Sequence, residues 1–242
     1  MNTKIQKYTK GCGLSYTAGF FPTLCMIEKR PEIVKTIYVA KEAVNTAGFR
    51  KIESLLGRDK LVISDIAVEK LGSKGNDHVI GVFATQGNDR LRADTDHVVM
   101  VNPMDMGNIG NAMRTMLAFG YRDLALITPC GDYLNPKAIR ASMGAFFSIR
   151  CQEFSSFDDY IKAYPRPFYP FILQTDRTLS SIQTLPAGNI AIVFGNEATG
   201  LPPEFRIPAG IRIEQSDDVD SLNLTTSIAV ALHDFRYRIK RV

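Results

Sequence analysis

The sequence predicts an α/β protein in which a parallel sheet with crossover helices, over residues 89–242, follows a smaller α/β unit over residues 1–88. Three observations carry this expectation. Strand-like apolar runs alternate with amphipathic stretches, as crossover helices between parallel strands require. A polar segment, TQGNDRLRADTD, at about 85–96 breaks the apolar pattern and contains Gly87 and Asn88. The length of 242 residues also suits two modest domains, since compact domains usually hold about 100 to 150 residues.

In the first unit the apolar run IVKTIYVA at 33–40 reads as a strand, followed by a helical stretch over 49–56. LVI at 61–63 and HVIGVFA at 78–84 supply further strands. Beyond the boundary, HVVMVN at 97–102 reads as a buried strand, and a helix is expected from about Asn108 to Phe119, with Ile109, Met113, Met116 and Leu117 on one face. DLALIT at 123–128 is the next strand, and 136–145 belongs to its crossover. FILQT at 171–175, IAIVFG at 190–195 and GIRIE at 210–214 are read as three more. The final helix carries Leu224, Ile228, Leu232 and Phe235 at spacings of three and four, the pattern of a core-packing face.

With 45% hydrophobic and 22% charged residues the composition is that of a globular protein with a full core, which excludes a disordered chain. The net charge of +4 is unevenly spread: residues 1–88 hold 13 Lys or Arg against 8 Asp or Glu, and the remainder 16 against 17. A basic first unit suits a polyanionic partner, and equally a solvated surface. Cys12, Cys25, Cys130 and Cys151 have no metal-ligand or redox spacing, so no metal is expected and free thiols in a reducing cytoplasm are. No run approaches the roughly 18 to 20 apolar residues of a membrane span. The expectation is a soluble, cytoplasmic protein.

Ligands of open parallel sheets bind beyond the carboxyl ends of the strands, and three loops there have unusual composition. In VNPMDMGNIGNAMRTMLAFG at 101–120, Gly107 and Gly110 suit a tight turn and Asn108 a helix cap, with Arg114 six residues on. A helix start attracts anions; a capped helix with a surface arginine accounts for the same residues. In FGNEATGLPPE at 194–204, Gly195 and Gly200 let the backbone approach a ligand, and Glu197 is a carboxylate no plain turn requires. Leu201-Pro202 stands where a P-loop needs Lys-Ser/Thr. In DSLNLTTSIAVALHDF at 220–235, Ser221 and Asn223 precede a helix, where an ordinary cap would also explain them. The co-occurrence of the three loops favours one shared site. No dinucleotide fingerprint or nucleophile elbow is present, and His78, His97 and His233 read as structural.

Together the loops resemble the SpoU (TrmH-like) RNA ribose 2′-O-methyltransferases of the SPOUT superfamily. N-I-G-x-x-x-R-T at 108–115, F-G-N-E-x-x-G-L at 194–201 and S-L-N-L at 221–224 are similar to that family's three motifs in order, and K-A-I-R-A-S-x-G-A at 137–145 adds to the likeness. Residues 14–86 resemble the L30e-like RNA-binding domain that often precedes them. The resemblance implies a C-terminal deep trefoil knot, a homodimer, and an S-adenosylmethionine site formed by Phe194, Gly195, Asn196, Gly200, Ile213, Ser221, Leu222 and Leu224. It implies Asn108, Arg114, Glu197, Ser221 and Asn223 as the catalytic set, acting on rRNA in preference to tRNA. A guanidinium stays protonated in proteins, so Arg114 is expected to organise charge, with the proton passing to an RNA phosphate or shared network.

Two positions depart from the family pattern. Met106 stands where a proline is usual, and Ala198 where a glycine is usual. A Cβ at Ala198 costs about 1 kcal/mol wherever positive φ is required, which keeps open a second reading: an RNA-binding or ribosome-assembly factor that retains the knot without turnover. A third reading, a SPOUT enzyme acting on a base, is disfavoured by the S-L-N and N-I-G-x-x-x-R motifs.

Overall fold

The structure, a computed structural model, describes residues 7–72, 77–85, 89–205 and 207–241; Gly87 and Asn88 of the predicted boundary lie outside them. The elements in chain order are β1 (Leu14–Ala18), α1 (Phe20–Lys29), β2 (Val34–Val39), α2 (Ala47–Leu56), β3 (Leu61–Ile63), α3 (Asp65–Leu71), β4 (Val79–Ala84), β5 (His97–Val101), α4 (Met106–Ala118), β6 (Asp123–Ile127), α5 (Pro136–Ala141), β7 (Arg150–Phe154), α6 (Phe157–Ala163), β8 (Phe168–Pro170), β9 (Thr184–Leu185), β10 (Ala191–Phe194), α7 (Leu224–His233) and β11 (Lys240–Arg241). No helix among the described residues is long and apolar enough to cross a membrane.

The chain divides into two compact units, Met1–Gly87 with Asp132–Ser148, and Asn88–Gly131 with Ile149–Val242. Segment 132–148, which the sequence reading kept with the C-terminal part, therefore packs in the first unit. Ile139 and Phe147 join Met26, Ile37, Ile52 and Phe83 in its core, and Arg140 forms a two-pronged pair with Asp77 at 3.1 and 2.8 Å. The first unit's sheet has the order β1-β4-β2-β3, with β4 antiparallel to both neighbours and β3 parallel to β2. β1 escapes the apolar pattern because its buried residues include Ser15 and Thr17. They are satisfied locally, Ser15 donating to the Leu134 carbonyl at 2.6 Å and Thr17 pairing with Thr23 at 2.6 Å, which removes the burial penalty.

The second unit holds a five-stranded sheet in the order β7-β6-β5-β10-β8, parallel throughout. Every residue of the central strands β5, β6 and β10 is buried, as expected where helices cover both faces. The edges depart from the sequence reading. β7, sequence RCQEF, was not anticipated because an edge strand buries only part of its length, here Cys151 and Phe154. FILQT is not a strand. Its place at the opposite edge is taken by 168–170, ending at Pro170, a residue tolerated on edge strands because it lacks the N–H a central strand must donate. GIRIE does not enter the sheet either: residues 171–178 and 211–212 meet in single bridges, Phe171 with Ile211 and Thr178 with Arg212.

α7 packs against α4. Ile109, Met113 and Met116 of α4 and Ile228 and Leu232 of α7 are fully buried, and burying such a side chain contributes roughly 1.5–3 kcal/mol each. The chain's end is tied to an earlier loop. Arg238 donates to the Leu179 and Ile182 carbonyls at 2.7 and 3.0 Å, and β11 pairs with β9. His97 is structural: its Nε2 donates to the Arg92 carbonyl at 2.7 Å, so its Nδ1 accepts from the Tyr160 hydroxyl at 3.0 Å. Burial pushes its pKa down to about 4.

Candidate active site

Strand order reverses between β5 and β10, since β6 and β7 continue on one side and β8 on the other. Loops leaving the carboxyl ends of such neighbours diverge and open a crevice. The first two predicted loops leave these two strands, and the third leads into α7. A cavity of about 360 Å³ lies here, within the range of small-molecule sites.

All eight residues expected to hold the cofactor, Phe194, Gly195, Asn196, Gly200, Ile213, Ser221, Leu222 and Leu224, stand in its wall. The second loop folds back on itself: Asn196 and Gly200 exchange backbone hydrogen bonds at 3.1 and 3.0 Å. The Asn196 side chain accepts from the Ala198 and Thr199 amides at 2.8 and 3.1 Å and donates to the Asn102 carbonyl at 2.8 Å. This closure is so tight that a Cβ on Gly195 would lie 2.3 Å from the backbone carbon of Gly200. The left-handed conformation falls on Gly200, at φ 68°, whereas Ala198 is not among the residues with positive φ. The methyl group of Ala198 therefore brings no left-handed backbone strain.

The first loop differs from expectation in its details. The α4 helix begins at Met106 with Asp105 as its cap, accepting from the Asn108 amide at 2.9 Å; Asn108 is not the cap. Gly107 and Gly110 lie inside the helix and form no turn. Met106 occupies the first helical position, where a proline would fit equally. Glu197 joins this loop to the second. Its carboxylate accepts from the Met104 and Asp105 amides at 3.2 and 3.3 Å and from the Asn108 side chain at 3.2 Å.

In the third loop, Asn223 caps α7, accepting from the Thr225 amide at 2.9 Å, so the ordinary reading of this residue holds locally. Ser221 and Glu197 stand in the cavity wall, Asn108 is held through Glu197, and Asn223 and Arg114 are outside the wall. Arg114 is exposed on the third turn of α4, one turn further along than a helix starting at Asn108 implied. Its guanidinium has no hydrogen bond or ion pair among the described residues.

Several contributors escaped sequence reasoning. Gln174, Arg212 and Gln215 line the cavity, yet polar residues in irregular segments leave no periodic signal. Phe171 stacks on Phe194 with ring centroids 5.0 Å apart at 15°. Asn102, at φ 51°, receives the Asn196 side chain; an asparagine ending an apolar strand was its available signal, because Asn tolerates the left-handed region. Among the described residues no group of side chains is arranged to hold a metal.

Residues 96–233 match the SpoU rRNA Methylase family. An uncharacterized tRNA/rRNA methyltransferase of Synechocystis sp. is 26% identical over 183 residues, 72% of this chain; the chain spans 66% of that relative's length. The 23S rRNA (guanosine(2553)-2′-O)-methyltransferase of Bacillus subtilis is 24% identical over 215 residues, covering 86% of this chain and 83% of the relative. Among solved structures, the SpoU methyltransferase AviRb from Streptomyces viridochromogenes, in complex with AdoMet, superimposes with a TM-score of 0.78 at 20% identity, covering 92% of this chain and 89% of its own. That similarity establishes the α/β fold with its parallel sheet.

Proposed function

The chain belongs to the SpoU rRNA methylase family, and from that premise we propose that it transfers the methyl group of S-adenosylmethionine to a ribose 2′-hydroxyl of RNA. The observation that carries this reading is the meeting of the second and third motif loops at one cavity, with Glu197 of its wall hydrogen-bonding the first loop across 89 to 93 residues of sequence.

The cavity suits the cofactor by its chemistry. Ile211, Ile213, Leu222 and Leu224 form apolar walls for a nucleoside, while Gln174, Gln215 and Ser221 offer neutral polar contacts. S-adenosylmethionine supplies an activated sulfonium methyl when bound. What remains for the protein is orientation, which contributes on the order of 7 to 11 kcal/mol in favourable systems. Glu197 fixes the start of α4, Asn108 is held beside it, and Arg114 presents a free fork of N–H donors suited to an RNA phosphate. In the proposed transfer the ribose oxygen bonds to the methyl carbon as the carbon–sulfur bond breaks, and the hydroxyl proton passes to the RNA phosphate or its network.

Ribosomal RNA is the proposed substrate. Its support is the Bacillus subtilis 23S rRNA enzyme, whose 215-residue alignment is too long to be confined to residues 89–242. The excess of basic residues over 1–88 supports an RNA-binding role for the first unit, for which an L30e-like fold is proposed. A C-terminal trefoil knot is proposed on the strength of the family match. The unpartnered Arg114 is consistent with a homodimer whose second copy or RNA completes its surroundings.

The test is incubation of the purified chain with methyl-labelled S-adenosylmethionine and unmodified rRNA and tRNA, followed by nucleoside mass spectrometry. A 2′-O-methylnucleoside from rRNA is expected. A base-methylated nucleoside, or no product from either RNA, overturns the proposal.

A further inference from the structure

A second cavity, also about 360 Å³, lies in the same unit at the opposite end of the parallel sheet. It opens where β6 and β7 begin, at Asp123 and Arg150, and just before β5, at Thr95 and Asp96. Five arginines line it, at positions 92, 122, 150, 236 and 241.

Three of the five are neutralised within the unit. Arg150 grips the buried Asp123 with two hydrogen bonds of 2.7 and 2.6 Å. Arg92 pairs with Asp94 at 2.9 and 2.6 Å, and Arg241 with Asp96. Arg122 and Arg236 are different. Both are exposed, and neither guanidinium has a hydrogen bond or ion pair among the described residues. Arg236 is packed over Gly120, where a Cβ would lie 3.6 Å from its Nη2. The cavity thus presents two uncompensated cations beside three neutral pairs.

A second observation points to a ligand. Tyr121 lines the cavity and is 5% exposed, yet its hydroxyl has no hydrogen-bond partner among the described residues. The ring is buried but the hydroxyl oxygen is not enclosed, so it stands open at the cavity and can donate to a ligand there. Two guanidinium forks and one hydroxyl donor are the donor set of an oxyanion, and the fork matches phosphate geometry in two-point contacts.

We propose that this cavity is a phosphate-binding site formed by Arg122, Arg236 and Tyr121, separate from the methyl-transfer cavity. The phosphate belongs to a polynucleotide backbone or to a small phosphorylated compound, and the two sources are separable by experiment. Because Arg122 and Arg236 have no partners to lose, replacing them leaves the fold intact, which thermal melting checks.

The experiment titrates pyrophosphate and, separately, a short single-stranded RNA into the full chain by calorimetry, and repeats both with Arg122→Gln, Arg236→Gln and Tyr121→Phe. Saturable binding of either probe, weakened roughly tenfold by each arginine change as expected for losing a charge-assisted hydrogen bond, supports the site. Loss confined to the RNA arm identifies the backbone as the source, and loss confined to the pyrophosphate arm a small compound. Absence of binding by both probes, or binding that the variants leave unchanged, overturns the proposal. S-adenosylmethionine binding measured on the same samples reads the other cavity, so failure here is distinct from failure of the methyltransferase reading.

Discussion

Replacing Glu197 by alanine removes three acceptor contacts at once, to the Met104 and Asp105 amides and to the Asn108 side chain. The distances of 3.2 to 3.3 Å are at the long end of the hydrogen-bond range, and the groups are exposed or half-buried, so water replaces much of what is lost. At about 0.5–1 kcal/mol each, the low end for net contributions, the expected loss of stability is about 1.5–3 kcal/mol. The effect on turnover is larger, because nothing else in the described contacts joins Asn108 to the cofactor loop. With the base of the loop still held by Asn196 at the Asn102 carbonyl, a helix start around Asn108 free to move by an ångström is expected to lower kcat by about 100-fold. Glu197→Gln separates the roles: its single carbonyl oxygen accepts from one or two of the donors, while its NH2 faces another donor, so an intermediate loss is expected. The assay is steady-state methyl transfer, with cofactor Kd by calorimetry and Tm by scanning. Unchanged kcat for Glu197→Ala at saturating RNA refutes the coupling of the two loops through this carboxylate.

Arg114→Ala should lower methyl transfer by on the order of 100-fold or more, as for removal of an electrostatic organiser, with little change in Tm because the side chain has no partner; wild-type turnover would remove Arg114 from the site. Gly195→Ala should abolish cofactor binding in calorimetry, since its Cβ meets backbone at 2.3 Å, whereas Ala198→Gly should change that affinity less than about twofold because no positive φ needs relief. A gain of tenfold from Ala198→Gly would contradict the loop geometry described. His97 is held neutral with a folded pKa of about 4, below its unfolded value of about 6.5. Its contribution is therefore complete above pH 6.5 and is lost as pH falls from 6.5 toward 4, by about 3 kcal/mol. Urea denaturation across that window should show this slope, and His97→Gln should flatten it; equal slopes in both proteins would count against the assignment.

The site was legible in large part because its residues are local in sequence. Each motif loop is a short run with an asparagine, joined in the first two by glycine and a strand end, and seven of the eight expected cavity residues lie in the second and third runs and reach the wall; the eighth, Ile213, which also reaches it, came from the family resemblance. The central strands were legible for a related reason: β5, β6 and β10 are buried on both faces, and continuous apolarity is written into the chain itself. Edge strands are half-solvated, so β7 with its Arg150 and Glu153 resembled a loop, and FILQT, apolar but lining the crevice, resembled a strand.

The sequence by itself determined the α/β class, the apolar central strands and the three loops where chemistry gathers, because these depend on neighbours within a few residues. Only the tertiary structure decided which helix end Asp105 caps, that Asp132–Ser148 packs in the first unit, and that Ala198 is unstrained. It also decided that Glu197 reaches the loop around Asn108 and that five arginines spread from 92 to 241 share one cavity. The physical reason is common to all of these: hydrogen bonds and charge balance between distant segments are set by strand order and register, which no local pattern of side chains encodes.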